Sequence, residues 1–309
     1  MRQGGAPPEG KWLGNATGGV KAPQPVLLPD ARVRFAATAS RLEALAQDHA
    51  MAEWLRFMAH ISRAQHIAAT SIVPPPALDA ASVDVAAAER RPPLAADSHD
   101  CHQAWREGLT VLLASLDRGS LPERLAAVVE GLHDSDADAL DTLARDFLHG
   151  AVGSAEAAKV VLIAAALQVY FTLLASRLPA ERVRLLPERG LCPCCGSTSV
   201  AGVITATGDT PGTRYLYCGL CSTAWNHVRA VCITCGGSGK VQLKAIEGGT
   251  DVVRAETCGD CETYSKVLYQ AKDTRVDPFA DDLATLGLDM LVSEAGFARH
   301  APNPLLLVG

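Results

Sequence analysis

Eight of the ten cysteines form four Cys-x-x-Cys pairs, Cys192/Cys195, Cys218/Cys221, Cys232/Cys235 and Cys258/Cys261, and this pattern constrains the chain more than any other feature. Twenty-two residues separate the first pair from the second, and twenty-two separate the third from the fourth. The second half therefore repeats the first at a displacement of forty residues, an internal duplication visible from spacing alone. Two intervening residues let the backbone fold into a tight knuckle that aims both sulfurs at one ion, with bonds of about 2.3 Å for zinc. Gly196 and Gly236 directly follow a knuckle, where a tight turn favours positive φ. Two knuckles supply four thiolates and close a tetrahedral shell. Residues 1–30 contain no apolar stretch of signal-peptide type, so the expected compartment is reducing and metal ligation is expected over disulfides.

The spacers support the same reading. Residues 200–205 and 214–217 have strand character and are joined by a turn at 208–212; residues 241–246 and 251–255 repeat this around Gly248 and Gly249. A hairpin that returns the chain brings its two knuckles together. The prediction is two tandem rubredoxin-like or zinc-ribbon-like four-cysteine metal modules, with Cys192, Cys195, Cys218 and Cys221 at site 1 and Cys232, Cys235, Cys258 and Cys261 at site 2. Cross-pairing between the halves, such as Cys221 with Cys232, is not excluded by spacing. Closed four-cysteine sites are more often staples than reaction centres. A thioredoxin-type redox pair would need a single Cys-x-x-Cys opening a helix after a strand.

Two cysteines stand outside the tetrads. Cys194, inside the first knuckle, is either a spare thiol or a candidate reactive thiol activated by a neighbouring metal; Cys101, at the start of a predicted helix, reads as a small buried hydrophobe. His227 lies between the modules and is assigned a hinge or surface role, because four cysteines per site are already available. Asp281 and Asp282 are adjacent, hence about 100° apart on a helix, and read as a solvated helix start.

The rest of the 309-residue chain is helical in pattern, and its length suits two compact domains. Residues 1–24, rich in Gly and Pro, read as a flexible tail whose main apolar anchor is Trp12. Over residues 31–70, Leu42, Leu45, Trp54, Leu55, Met58 and Ile61 recur at helical steps with an interruption near Asp48. Two proline clusters, 74–76 and 92–93, bracket an Ala-rich connection that cannot be one continuous helix. Helices are expected near 100–116, after Pro122 and over 136–148, the last capped at Ser135 or Asp136. A long apolar helix is then capped by Ser154 and followed by Pro179; its apolar part, residues 160–175, contains Gln168 and is shorter than a membrane span, so it reads as the centre of a bundle. A last helix begins at Asp277 and Pro278, with Phe279, Leu283, Leu286, Met290 and Leu291 on one side, and the apolar end 305–308 is expected to pack. The expected fold is multidomain α+β: tail 1–24, all-α helical domain 25–183, four-cysteine modules 184–228 and 229–272, and a C-terminal helical segment 273–309.

Several stretches together carry a family resemblance: Cys-Pro-Cys-Cys-Gly at 192–196, Arg-Tyr-Leu-Tyr-Cys-Gly-Leu-Cys at 214–221, Trp-Asn-His-Val-Arg at 225–229, Ala-Glu-Thr-Cys-Gly-Asp-Cys at 255–261, Ala-Asp-Asp-Leu-Ala-Thr-Leu at 280–286 and Asn-Pro-Leu at 303–305. In these the chain resembles the FdhE family of formate dehydrogenase accessory proteins, and Leu-Leu-Pro-Asp at 27–30 and Arg-Leu-Glu-Ala-Leu-Ala at 41–46 look similar too. The extra cysteine at 194 and the first 24 residues depart from the pattern. The resemblance implies a cytoplasmic, non-catalytic protein that binds the catalytic subunit of a respiratory formate dehydrogenase before export. It also implies that the eight paired cysteines hold two ions in rubredoxin-like fashion, iron first, with zinc as the alternative because thiolate tetrahedra suit both.

Composition weighs against other classes. The formal net charge is −6, and from residue 191 to 272 seven Lys/Arg face six Asp/Glu. Eight thiolates with two divalent ions make that segment net negative by about three, the reverse of a phosphate-binding surface. No nucleic acid and no membrane insertion are expected, and a homodimer is left open. No phosphate loop or nucleophile elbow is present, so the chain is not expected to be an enzyme. A rubredoxin-like electron-transfer role is the alternative.

Overall fold

The computed structural model describes residues 22–100, 103–117, 119, 121–153 and 156–306. The tail expected at 1–24, with Trp12, falls outside these residues up to position 21, as do Cys101, the Ser154 cap and the last three residues.

Among the described residues, seven α-helices precede the cysteine region: α1 (Arg34–Leu45), α2 (Ala52–Ser71), α3 (Ala80–Ala88), α4 (Ala104–Ser115), α5 (Glu123–His133), α6 (Ala137–Leu148) and α7 (Ala157–Ala175). The interruption expected near Asp48 separates α1 from α2, and Asp48 itself adopts φ 58°. Leu42, Leu55, Met58 and Ile61 are buried between these helices and the core. The connection between the proline clusters holds α3, capped by the Asp79 carboxylate, which accepts from the Ser82 amide at 2.7 Å. Asp136 caps α6 by accepting from the Ala139 amide at 2.8 Å. α2, α4, α5 and α6 pack around α7. By length and composition α7 could cross a membrane. In the fold, however, every residue from Leu162 to Ala175 is buried within the protein.

The cysteine region forms one eight-stranded sheet. Its strands are β1 (Val26–Leu27), β2 (Ser199–Ile204), β3 (Arg214–Cys218), β4 (Ala224–Asn226), β5 (Val241–Lys244), β6 (Val253–Cys258), β7 (Thr263–Tyr269) and β8 (Ala298–Arg299). The order is β1-β4-β3-β2-β7-β6-β5, with β8 also paired to β7. Each half contributes an antiparallel meander, and the two meet through a parallel pairing of β2 with β7 that sets Val203 beside Leu268. Val26 and Leu27, expected in the helical part, instead form an edge strand against Trp225 and Ala224.

The C-terminal helix is broken into α8 (Ala280–Leu283) and α9 (Leu286–Glu294) at Thr285, whose backbone leaves the helical region at φ −118° and ψ 35°. The break rotates the second piece, so Leu288 and Val292 are buried while Met290 and Leu291 are more than half exposed, contrary to the single apolar face expected. The solvated reading of Asp281 and Asp282 is also overturned. Both are buried: Asp281 takes two hydrogen bonds from Arg41, at 2.6 and 2.9 Å. Asp282 meets Lys266 at 3.3 Å, Arg299, and the Asn303 amide at 2.9 Å. Buried carboxylates persist only when paired in this way. Of the apolar end, Leu305 is buried and Leu306 packs against the same core.

Candidate metal centres

The knuckles of each half face one another as the hairpins require. The four ligand atoms of Cys192, Cys195, Cys218 and Cys221 lie within 4.8 Å of one another, and so do those of Cys232, Cys235, Cys258 and Cys261. Across the first group, Cys192 and Cys221 sulfurs are 3.5 Å apart and Cys195 and Cys218 sulfurs 3.4 Å. Across the second the corresponding distances are 3.6 and 3.8 Å. A tetrahedron with bonds of about 2.3 Å has edges of about 3.8 Å, so both groups suit a bound ion; disulfides, at about 2.05 Å, are absent among these pairs. Two four-cysteine groups could thus hold two metal ions, and no ligand set crosses between the halves.

The forty-residue repeat persists to atomic detail. Gly196 and Gly236 have φ 79° and 74°, and their amides donate to the carbonyls of Cys192 and Cys232 at 2.9 and 3.0 Å. Ser222 and Glu262, each directly after the second knuckle, share φ near 60° at 60° and 55°. Thr223 and Thr263 place hydroxyls 3.2 and 3.1 Å from the sulfurs of Cys221 and Cys261. The sequence reading missed these two threonines, although both lie two residues after a ligand at the repeat distance.

The two groups differ in burial. All four sulfur-bearing residues of the first are buried beneath the helices. The amides of Leu94 and Ala96 donate to the carbonyls of Cys194 and Cys195 at 2.8 and 2.9 Å, so a segment of the helical part runs along the first knuckle. From α7, Gln168 donates to the carbonyl of Gly219 at 2.7 Å and accepts from Gln65 at 2.8 Å. The one amide in the apolar helix is therefore a strut to the second knuckle of site 1. In the second group Cys232 and Cys258 are buried, Cys261 is half-buried and Cys235 is exposed.

Electrostatics explain why the first group suits a cation. Burial pushes the Cys192 and Cys221 thiols well above their usual range. Burial also opposes ionisation of Cys195, but hydrogen bonds from Cys192, Cys218, Cys221 and Ser197 bring it well below that range. One buried thiolate is thus supported by its neighbours, and further ones need a positive ion. At Cys232 burial is outweighed by the amides of Cys235 and Thr234 and by Cys261, giving about 7.

The other sequence candidates sort clearly. Cys194 has no exposed surface and packs in the common core, so a reactive-thiol role has no route for a reagent. His227 is buried, not a surface or hinge residue; burial, with Arg214 and Arg189 nearby, pushes its pKa down to about 4. It lines a cleft of about 710 Å³ between residues 187–191 and the third knuckle, together with Cys232, Cys235 and His300.

Comparison with known proteins fits this geometry. Family models described as FdhE, N-terminal, FdhE, central domain, and FdhE, C-terminal domain match residues 23–188, 191–229 and 230–306. The chain belongs to the FdhE family. It is 38% identical over 287 residues to a Protein FdhE homolog of Edwardsiella ictaluri (strain 93-146), covering 92% of each chain. To Protein FdhE of Escherichia coli (strain K12) it is 34% identical over 287 residues, again covering 92% of each. A crystal structure of the FdhE protein from Pseudomonas aeruginosa superposes with a TM-score of 0.82 at 34% identity, covering 92% of this chain and 99% of that one.

Proposed function

We propose that this FdhE-family chain is a cytoplasmic accessory protein that binds the catalytic subunit of a respiratory formate dehydrogenase before export, and that its two four-cysteine groups hold iron. Family membership supports the accessory role. The observation that carries a binding role over a catalytic one is that each group supplies four sulfurs to one position. Four protein ligands close a tetrahedral shell and leave no site for a substrate. Thiolate tetrahedra accept zinc as well as iron, so donor type leaves the choice to loading in the cell.

The test is co-purification of the intact chain with the formate dehydrogenase catalytic subunit, repeated with Cys192/Cys195 and Cys232/Cys235 each replaced by serine. Loss of the subunit with either pair is expected. Absence of the subunit from the intact chain overturns the reading, and its retention by both variants confines the ions to a structural role.

Electron transfer is the second reading, favoured by the exposure of Cys235 at the second group. Ferric tetrathiolate gives a red, reducible protein. Protein from iron-replete cells that stays colourless after oxidation with a mild one-electron oxidant such as ferricyanide sinks this version.

A further inference from the structure

The sheet ends on one side at β5, which pairs with β6 alone among the described residues. Gln242 and residues 245–250 are exposed, Leu243 is 48% exposed and Ile246 45%. The duplication supplies a direct comparison, because β2 is the corresponding strand of the first half. Leu216 and Tyr215 of β3 face Gly202 and Val203 of β2; forty residues on, Glu256 and Ala255 of β6 face Leu243 and Lys244 of β5. Leu243 thus stands where the first half has Gly202, and Lys244 where it has Val203. In the first half that outer edge is filled. β7 lies along it in parallel, setting Val267 beside Gly202 and Leu268 beside Val203, and the Gln270 amide donates to the Ile204 carbonyl at 3.1 Å. In the second half no strand among the described residues lies there.

The backbone of β5 is turned to receive a strand in the same way. The Gly259 amide donates to the Lys240 carbonyl at 3.0 Å, so Lys240 faces β6. In an antiparallel pair alternate residues bond to the same neighbour. Gln242 and Lys244 therefore carry the ladder to β6, and Leu243 points its amide and carbonyl outward. Such an edge is completed by an extended chain, whose main-chain bonds give affinity and whose alternate side chains give specificity. The bordering side chains say which chain. Leu243 offers an apolar surface on one face of the strand. On the other face, Nζ of Lys244 lies 5.4 Å from the centre of the Phe297 ring, and Lys244 makes no ion pair among the described residues. A second copy of β5 would bring its own Lys240 and Lys244 to this edge, and like charges across a strand pair repel. Nor can β7 of a second copy fill it, because β7 is paired on one side by β6 and on the other by β2 and β8. A segment with a carboxylate opposite Lys244 is attracted instead.

We propose that β5 is the docking edge for an extended segment of a protein partner, added in parallel as β7 is added to β2, with an apolar residue beside Leu243 and an acidic one beside Lys244. The partner is the catalytic subunit of the accessory reading, on which this proposal rests.

Amide hydrogen exchange at single-residue resolution tests it, on the full-length, metal-loaded chain alone and with the formate dehydrogenase catalytic subunit. The Leu243 amide is expected to exchange about tenfold more slowly, or slower still, in the complex. Leu243→Pro removes the outward donor and leaves the ladder to β6, which Gln242 and Lys244 carry. It is expected to keep both metal ions and to weaken binding of the subunit by about tenfold. Lys244→Glu leaves the backbone untouched and is expected to weaken binding by about 2- to 5-fold. A complex in which Leu243 exchanges as fast as in the free chain, or equal binding by both variants and the intact chain, overturns the docking edge and leaves the accessory reading standing. Protection of Leu243 in the chain alone, with a mass of two chains that Leu243→Pro halves, assigns the edge to a second copy and also overturns it. Failure of the intact chain to bind the subunit overturns the accessory reading, and the docking edge with it.

Discussion

Single side chains decide how the helices hold the first metal centre. Gln168 would read as a misfit in an apolar helix, yet its amide is satisfied on both sides, by the Gly219 carbonyl and by Gln65. Replacing it with leucine keeps the bulk, strands the Gly219 carbonyl in a buried setting and leaves the Gln65 amide with its bond to the Ala165 carbonyl alone. Such unsatisfied groups cost about 1–3 kcal/mol. Gln168→Leu is therefore expected to lower stability by about 2 kcal/mol in denaturant unfolding, and unchanged stability would show that the strut carries no weight. Lys266 follows the same logic in β7, an interior strand of the sheet. It is fully buried in β7, yet it meets Asp289 at 2.5 Å, Asp282 at 3.3 Å, and the Asp282 carbonyl at 2.8 Å.

Elements were legible where local chemistry is strong and illegible where it is weak. The helices of residues 31–175 follow apolar periodicity and proline punctuation, and the hairpins follow from the demand that two knuckles meet. β4 and the edge strands β1 and β8 have little signal of their own, since two or three residues carry no period; they exist because neighbouring strands offer them partners. Close approach of elements is equally invisible in sequence. A Cβ built on Gly190 would fall 2.2 Å from the carbonyl oxygen of Ile233, so the loop entering the first half leans on the backbone of the third knuckle. Gly190→Ala must push loop and knuckle apart. Faster loss of zinc from the second group to a competing chelator, with the first group unaffected, is expected, and equal retention would mean that the loop does not brace the knuckle.

At the scale of the whole molecule, the two halves share one sheet but not one environment. Cysteines 192, 194, 195, 218 and 221 belong to the same apolar core as α2, α4 and α7, whereas the second group lies beyond that core with Cys235 exposed. A chelator reaches a metal through its exposed ligands. Titration of the two-metal protein is therefore expected to show two phases of one ion each, the second group emptying first. Cys235→Ala should remove the fast phase alone. A single phase releasing both ions together would show that the shared sheet makes the centres one cooperative unit.

While the structure settled the grouping of the ligands into two tetrads, the sequence by itself determined the eight candidate ligands, their forty-residue repeat and the helical nature of the first half. These are local facts: Cys-x-x-Cys forms a knuckle within four residues, a forty-residue repeat is a count, and apolar periodicity is set by the 3.6-residue turn. Tertiary structure alone decided which centre is buried and which is open, because burial depends on what packs over a site from elsewhere in the chain. The same holds for Asp281, Asp282 and His227, read as solvated or superficial from their neighbours in sequence and buried once Arg41, Lys266, Arg299 and the cleft walls close around them. Their partners lie up to 240 residues away, a distance no local pattern spans.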